Sequence, residues 1–264
     1  MSLFPDRNFD SLTERFKSKI YGGLKGEIRL AVLTRDFQDF SMFSRLSEMK
    51  VLDAGGGFAP FSQSLVLQGA DCLVCDISEK MLQQAREDWE RQKAQALGSI
   101  LFVRQPFQEI EEKFDIVLCH AVIEWLERPW EGIERLVQQC NPGGVLSLLI
   151  FNQVPLIWRM VTFGKLEKVQ KQQLSGFGNS FTPYHSFRYD EIHAKLEQLG
   201  MEILCCSGVR IFSDSVRDER KRYIDNQELL ALELHYSRDP DFYNHGRYLH
   251  FLARKRETVE EKRY

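Results

Sequence analysis

The stretch Val51-Leu52-Asp53-Ala54-Gly55-Gly56-Gly57 passes from an apolar run directly into three glycines. An apolar run that ends on glycines is typical of a buried strand followed by a tight turn. A second apolar run, 71–76, ends on another acid, Asp76. Glycine turns followed about 20 residues later by an acid are found in nucleotide-binding folds, where the acid accepts hydrogen bonds from a ribose. The sequence therefore predicts an adenosine-containing ligand at the carboxyl ends of a parallel sheet.

The details of the glycine loop indicate which ligand fits. A dinucleotide fingerprint requires G-x-G-x-x-G, and here Gly55 and Gly57 take the first two places while Pro60 takes the third. No Gly-Lys-Ser/Thr follows, as a phosphate-binding loop would require. Acids at Asp53 and Asp76 repel a pyrophosphate and attract a sulfonium and an amino group, which favours S-adenosylmethionine as the cofactor. An ordinary glycine turn between a strand and a helix is the alternative.

Strand-like segments alternate with helical ones through the first part of the chain. The strands are predicted at 50–54, 71–76, 100–104, 114–119 and 145–151, and the clearest helix at 78–96 with Ser78 as its N-cap. This alternation predicts an α/β fold with a doubly wound, mostly parallel, Rossmann-like sheet. The run Asn141-Pro142-Gly143-Gly144 is expected to end the helix before the fifth strand.

The 264 residues are interpreted as a single domain with several parts. These are an N-terminal helical lid at 1–45, a cofactor-binding half at 46–151, a substrate-side insert at 152–188, the C-terminal half of the sheet at 189–254 and a loose tail at 255–264. The lid is predicted to contain an amphipathic helix at 9–20 and a second helix that carries Arg29. The C-terminal half is predicted to contain a helix at 189–199, a strand at 202–206, a helix at 216–237 and a strand at 247–254.

Composition places the chain among soluble globular proteins, with 43% hydrophobic and 28% charged residues. No apolar run approaches the roughly 20 residues of a membrane span, and the start lacks the pattern of a signal peptide, so we expect a cytoplasmic protein without a membrane partner. The six cysteines are scattered, which indicates reduced thiols. Cys72 and Cys75 would face opposite sides of a strand, and the sequence predicts no metal site.

The insert at 152–188 differs from the rest of the chain in charge. The whole chain has a net charge of −3. The insert has five basic residues, Arg159, Lys165, Lys168, Lys171 and Arg188, and one acid, Glu167, and its aromatic residues lie among them. Such a segment is either a solvated basic face or a surface for an anionic partner such as RNA.

The order of these motifs resembles the class I S-adenosylmethionine-dependent methyltransferases. V-L-D-A-G-G-G resembles their first motif, Asp76 their ribose acid, F-D-I-V-L-C-H at 114–120 their fourth strand, and N-P-G-G-V-L-S-L at 141–148 the segment that leads into the fifth. This resemblance covers about residues 50–151.

A longer resemblance is to the bacterial tRNA methyltransferases that act on 5-carboxymethoxyuridine. It is based on D-R-N-F-D at 6–10, I-Y-G-x-x-K-G at 20–26, H-A-V-I-E-W at 120–125, G-V-R-I-F at 208–212 and G-R-Y-L-H at 246–250. It implies methyl esterification of the wobble carboxylate, with the tRNA anticodon loop as partner, and departs most within 165–182. It also implies cofactor contacts at Arg29, Gly55, Gly56, Asp76, Phe107, Gln108 and His120, with Phe107 contributing its backbone.

A carboxylate acceptor needs no general base, because its pKa near 4 leaves it ionised at neutral pH. We therefore predict no catalytic acid or base, and a mechanism of positioning. A carboxylate in a pocket favours a bidentate arginine, so the candidates for the acceptor side are Arg210, Arg247, Arg217 and His185. For each of them a surface ion pair is the alternative, and for His120 a structural role at a turn. Methylation of a small carboxylated or apolar metabolite, or a binding module without activity, are the alternative functions.

Overall fold

The computed structural model describes residues 5–10, 22–176, 182–216 and 218–257. Its centre is a seven-stranded sheet in the order β3-β2-β1-β4-β5-β7-β6. The strands are β1 (Lys50–Ala54), β2 (Asp71–Asp76), β3 (Ser99–Arg104), β4 (Phe114–His120), β5 (Cys140–Phe151), β6 (Met201–Val209) and β7 (Tyr248–Lys255). β1 to β5 pair in parallel, and β7 is antiparallel to both of its neighbours. The prediction of a doubly wound, mostly parallel α/β sheet is confirmed.

Helices flank the sheet. They are α1 (Leu24–Asp39), α2 (Pro60–Leu67), α3 (Glu79–Glu90), α4 (Pro129–Gln139), α5 (Gln153–Thr162), α6 (Leu166–Gln170), α7 (Tyr189–Gln198), α8 (Asp218–Lys221) and α9 (Asn226–Tyr236). Short 3₁₀ turns span Met42–Glu48, Lys93–Gln95, Phe107–Glu109, Ile123–Trp125 and Tyr243–His245. None of the helices in these parts of the chain has the length and apolar character needed to cross a membrane.

The central strands are buried on both faces because helices cover both sides of the sheet. Successive residues of a strand point to opposite faces, and β1 shows the result: Val51 belongs to the core cluster that includes α1 and α2, whereas Leu52 belongs to the cluster that includes α4 and α7. The same alternation separates Cys72 from Cys75, as predicted. Burial raises the pKa of the Cys75 thiol to about 12, so it stays protonated.

The residues at which some helices and strands begin or end differ from the predictions, because local capping contacts fix these ends. Ser78 is the N-cap of α3, as predicted, because its hydroxyl accepts from the Met81 N–H at 3.2 Å. The helix predicted at 216–237 is interrupted between α8 and α9. Asp225 is the N-cap of α9, because its carboxylate accepts from the N–H groups of Gln227 (2.7 Å) and Glu228 (3.0 Å). β5 begins at Cys140, before the Asn-Pro-Gly-Gly run, with a register irregularity opposite it in β4.

The first 45 residues divide into parts with different positions. The predicted helix at 9–20 lies mostly outside the described residues. α1 packs into the core through Ile28, Val32 and Phe37, all fully buried, and this fixes the position of Arg29 on the same helix. The segment 6–10 reaches the carboxyl end of the sheet, where it contributes to the site described below. The role of a lid stays a prediction.

Candidate functional site

A pocket of about 890 Å³ lies at the carboxyl ends of β1, β2 and β4. The strand order reverses between β1 and β4, and ligands of open α/β sheets bind at such a switch point. Six of the predicted cofactor residues line this pocket: Arg29, Gly55, Asp76, Phe107, Gln108 and His120. The seventh, Gly56, lines a smaller adjoining cavity of about 320 Å³. The structure thus brings all seven together, and their contact with a cofactor stays a prediction.

The glycine loop forms the floor of the pocket because its turn closes tightly against the sheet. The N–H groups of Gly55 and Gly56 donate to the carbonyl of Cys75 at 2.9 and 3.1 Å. Gly55 has a left-handed φ of 69°, which favours glycine. A Cβ on Gly56 would lie 2.7 Å from the carboxylate of Asp53. Any side chain here would push the loop off its support, so the glycines are required by geometry.

Asp76 is held in a fixed orientation at the end of β2. The N–H of Gly57 donates to its Oδ2 at 2.9 Å, and the N–H of Ser78 donates to its Oδ1 at 2.8 Å. Burial raises the pKa of this carboxyl group, although both backbone hydrogen bonds oppose the rise. Each oxygen keeps a lone pair for a further donor, so the group can accept two hydroxyl hydrogen bonds on the pocket side.

Asp53 has a structural role beneath the glycine loop. Its side chain is 5% exposed, lies beneath Gly56 and accepts a short hydrogen bond from Ser62. Burial raises the pKa of Asp53 to about 7 despite that hydrogen bond, and nearby Asp76 adds to the rise. Asp53 thus supports the loop from beneath and also lines the smaller cavity, and its interaction with the charge of a ligand stays a prediction.

Another wall of the pocket is formed by Arg29 of α1, His120 at the end of β4 and Tyr248 at the start of β7. Arg29 extends from α1, is 3% exposed, and its guanidinium carbon lies 4.8 Å from the ring centre of Tyr248. His120 ends β4, and its Nε2 lies 2.8 Å from the hydroxyl of Ser147. Burial above all lowers the pKa of His120 well below its usual value, so the imidazole is neutral. The wall therefore presents one cation and one neutral histidine.

Phe107 and Gln108 lie on the turn after β3. The ring of Phe107 packs in the core, and its carbonyl accepts from the side chain of Gln139 at 2.6 Å. A contribution of Phe107 to a ligand would therefore come from its backbone, in line with the expectation. Gln108 lines the pocket and its amide donates to Asp6 at 3.4 Å.

Several pocket residues were not predicted as site residues. Phe9 and Trp125 meet edge to face with ring centres 4.9 Å apart and line the pocket together with Tyr248. Phe9 and Trp125 belong to the D-R-N-F-D and H-A-V-I-E-W motifs, and these motifs were the signal in the sequence that could have identified them as site residues. Their contact joins residues more than 100 positions apart in sequence, and no local pattern reports such a pairing.

Glu124 is a second unpredicted group. Its side chain is 1% exposed, and neither carboxyl oxygen has a hydrogen-bond partner among the described residues. Burial raises the pKa of Glu124 to about 8, and the residue's own backbone N–H and the nearby charge of Arg29 only partly oppose this. Glu124 is therefore largely uncharged at neutral pH.

The predicted acceptor residues are only partly brought together. Arg210 and Arg247 both pair with Asp214, Arg247 at 3.3 Å. Arg159 of α5 interacts electrostatically with all three, so positive charge is in excess. The buried Nε atoms of Arg210 and Arg247 have no hydrogen-bond partner in the described part of the chain. We call Arg159, Arg210, Arg247 and Asp214 the arginine cluster.

The arginine cluster lies beside the pocket. The guanidinium carbon of Arg247 is 5.4 Å from the ring centre of Phe151, and that ring contacts Tyr248 of the pocket wall at 5.7 Å. His185 does not join the cluster: its ring contacts the carbonyl of Leu126 at 3.0 Å, and burial lowers its pKa. The prediction for Arg217 lies outside the described residues.

Comparisons with known proteins agree on one kind of enzyme. A family model described as a methyltransferase domain matches residues 52–148. The tRNA 5-carboxymethoxyuridine methyltransferase of Escherichia coli (strain K12) is 31% identical over 97% of this chain and 99% of its own length. The ubiquinone biosynthesis O-methyltransferase of Histophilus somni is 28% identical over 45% of this chain and 52% of its own.

Among solved structures, the magnesium protoporphyrin IX methyltransferase of Synechocystis PCC 6803 has a similar fold. It was solved with bound SAH, and its TM-score to this chain is 0.59 at 18% identity. The match covers 94% of this chain and 96% of that one. At this level of identity the likeness concerns the fold.

Proposed function

The chain belongs to the S-adenosylmethionine-dependent methyltransferases, in the family of the tRNA 5-carboxymethoxyuridine methyltransferase, and we propose from this that it esterifies the carboxylate of 5-carboxymethoxyuridine at the wobble position of tRNA. The proposal has two structural requirements. The pocket must fit the methyl donor, and a separate group must hold an anionic acceptor close to it.

The residues of the pocket fit S-adenosylmethionine. The cofactor supplies an electrophilic methyl group on a sulfonium sulfur. We assign Asp76 to the ribose hydroxyls, Arg29 to the carboxylate of the methionine part, and the backbone around Phe107 and Gln108 to the adenine. Gly55 and Gly56 have no side chains, so the backbone of the loop can lie directly against the ligand. The pocket is a cleft open to solvent, and its lining combines apolar and aromatic side chains with a few polar groups, as small-molecule sites do.

The arginine cluster is the observation that carries the choice of acceptor. Arg210, Arg247 and Lys25 pair with Asp214, Arg159 adds positive charge nearby, and two buried Nε donors still lack acceptors among the described residues. A buried donor without an acceptor costs roughly 1–3 kcal/mol, which binding of an anion would recover. The cluster lies next to Tyr248 of the pocket wall and is therefore within reach of a methyl group held there.

The chemistry requires positioning and removal of water. A carboxylate with a pKa near 4 is already a nucleophile at neutral pH, so no base has to accept a proton. Arg210 and Arg247 would fix the carboxylate through their planar forks, and the aromatic wall of Phe151 and Tyr248 would exclude water from the acceptor. Alignment of this kind can supply several kcal/mol of rate enhancement.

Two measurements test the proposal. In a deletion strain, mass spectrometry of tRNA nucleosides is expected to show the free carboxymethoxy acid accumulating in place of its methyl ester. In the purified protein, Arg247→Lys keeps the charge but loses the bidentate fork, and is expected to lower methylation of such tRNA by about tenfold or more. Affinity for S-adenosylmethionine should not change.

The matched control is Arg45→Lys, at a surface position whose side chain is 70% exposed. It should leave both quantities unchanged. An unaltered nucleoside profile in the deletion strain would reject the proposed acceptor, and an equal loss of methylation and cofactor affinity in Arg247→Lys would reject the role of the arginine cluster.

A further inference from the structure

A chain of buried polar groups leads from the pocket wall along one face of the sheet to α1. His120 Nε2 lies 2.8 Å from Ser147 Oγ, Ser147 Oγ lies 2.8 Å from His250 Nε2, and His250 Nδ1 lies 2.6 Å from Asp36 Oδ2. Ser147, His250 and Asp36 have no exposed surface. The register explains the alignment: His120, Leu149 and His250 are paired across β4, β5 and β7, and Ser147 precedes Leu149 by two residues on the same face.

The far end of this chain is anchored by charge. Asp36 Oδ1 accepts from Arg35 at 2.8 and 3.0 Å, from Arg238 at 2.6 Å and from Ser207 at 3.0 Å. Although burial alone would raise the pKa of Asp36, these contacts and the hydrogen bond from His250 hold it well below its usual range. Asp36 is thus an ionised carboxylate that can only accept, so the hydrogen between it and His250 resides on Nδ1.

The charges around Asp36 are balanced. Arg238 bonds both Asp36 and Asp39, and Arg35 lies within 3.9 Å of Asp39, so two arginines and two aspartates cancel. Ser147 has one hydroxyl hydrogen and lies between the Nε2 atoms of two histidines, so it can donate to only one of them. An imidazole whose hydrogen is on Nδ1 presents Nε2 as an acceptor, so with Nδ1–H directed at Asp36 the His250 ring would take the hydroxyl hydrogen of Ser147. The hydroxyl oxygen would then accept from Nε2–H of His120.

We propose that Asp36, His250 and Ser147 are positioning residues that hold His120 in its Nε2–H tautomer, so that its bare Nδ1 accepts a hydrogen bond from the ammonium group of the methyl donor. This inference rests on the cofactor site proposed above and is independent of the methyl acceptor. Arg29 is near enough to His120 to lower its pKa and lines the same pocket. A ligand whose carboxylate meets Arg29 carries its ammonium on the adjacent carbon, within reach of His120.

The first experiment measures the tautomer directly in the protein without ligand. Long-range ¹H–¹⁵N correlation spectra distinguish a protonated from a bare ring nitrogen, and comparison with His120→Gln assigns the signals. We expect Nε2–H in the natural protein and a mixture of tautomers in Ser147→Ala. Ser147→Thr, which keeps the hydroxyl, should restore the single tautomer.

The matched control is Ser207→Ala. Ser207 is also fully buried and bonds Asp36, but it does not lie between Asp36 and His120. It should leave the His120 tautomer unchanged. A Nδ1–H tautomer in the natural protein, no change in Ser147→Ala, or the same change in Ser207→Ala would each overturn the proposal.

The second experiment measures affinity by calorimetry. Binding of S-adenosylmethionine to Ser147→Ala should weaken by the factor by which the Nε2–H tautomer of His120 is depopulated, about twofold for an equal mixture. Binding of 5′-methylthioadenosine, which lacks the ammonium and carboxylate, should stay the same. An equal loss for both ligands would contradict the assignment to the ammonium group. Neither the tautomer measurement nor the affinity measurement involves tRNA. If the proposed methyl acceptor were wrong, the expected results of both experiments would be unchanged.

Discussion

Asp76 and Glu124 are carboxyl groups near the same pocket, and burial raises the pKa of both, but only Asp76 is oriented by backbone donors. Asp76 accepts two backbone N–H bonds that orient it, whereas Glu124 has no hydrogen-bond partner for its carboxyl oxygens in the described residues. A carboxylate that backbone donors hold in place is ready to bind hydroxyl groups. A carboxyl group that is buried without donors takes up a proton, because the neutral form avoids the free-energy cost of a buried charge.

Asp76→Ala is expected to weaken binding of S-adenosylmethionine by about 100-fold. Two hydrogen bonds from the ribose to a charged acceptor are lost, at roughly 1.5 kcal/mol or more each. Isothermal titration calorimetry measures the change. Asp71→Ala, at the opposite end of the same strand, is the control and should bind normally. Normal binding by Asp76→Ala would show that the ribose lies elsewhere.

Glu124→Gln is expected to change how stability depends on pH. The pKa of Glu124 is raised to about 8 in the folded protein, so its favourable contribution is complete below pH 4–5 and is lost as pH rises through about 8. This group alone adds a slope of at most about 1.4 kcal/mol per pH unit. Between pH 6 and 9 the natural protein should lose more free energy of unfolding than Glu124→Gln does, measured by urea denaturation. Parallel curves would mean that Glu124 is ionised throughout.

At the scale of elements, α5 and α6 present an unusual surface to solvent. Trp158 is 72% exposed and Phe163 71%, and the guanidinium carbon of Arg159 lies 5.7 Å from the ring centre of Phe163. Large exposed rings interleaved with basic residues are typical of surfaces that bind single-stranded nucleic acid, where bases stack on the rings. Arg159 also belongs to the arginine cluster, so this surface continues into the proposed acceptor site.

Replacing both exposed rings, Trp158→Ala with Phe163→Ala, is expected to weaken tRNA binding by about tenfold or more, because each stacked base contributes roughly 1–3 kcal/mol. Fluorescence anisotropy with a labelled anticodon stem-loop measures it, and affinity for S-adenosylmethionine should be unchanged. Leu97→Ala removes an apolar side chain that is 80% exposed elsewhere and is the control. Unchanged binding in the double variant would exclude this face as the RNA contact.

The elements of the cofactor half could be predicted because their signals are local. β1, β2 and β4 are apolar runs that end on glycine or polar residues, and the glycine loop follows one of them directly. The break between α8 and α9 was missed because it depends on the side chain of Asp225 folding back onto two N–H groups. The contacts of Ser147 with two histidines were beyond prediction too, since they depend on strand order and register and not on any pattern in β5.

At the scale of the whole molecule, the pocket is built from parts that are distant in sequence. α1, the glycine loop, β2, β4, β7 and the segment 6–10 all contribute residues to it. A ligand that contacts all of them connects these parts in the folded protein and has no comparable site in the unfolded chain. Its binding must therefore raise the stability of the fold as a unit.

S-adenosylmethionine at 100 times its dissociation constant is expected to stabilise the protein by about 2.7 kcal/mol. For a domain of this size that corresponds to a rise in melting temperature of roughly 5–10 °C, which differential scanning fluorimetry detects. Arg247→Lys should show the full rise, because the arginine cluster lies outside the cofactor pocket. If Arg247→Lys lost the rise, the two sites would not be separate.

The segment 6–10 spans the pocket from one side to the other. Asp10 accepts from the hydroxyl of Ser78 at 2.6 Å on the side of β2, and Asp6 accepts from the N–H of Glu127 at 2.7 Å on the other side. Since Asp6, Arg7 and Phe9 also line the pocket, docking of this segment and occupancy of the pocket are linked equilibria. A ligand that contacts this segment is expected to favour its docking, and docking then favours the ligand by the same free energy. We therefore expect a protease to cleave at residues 6–10 more slowly when the methyl donor is bound.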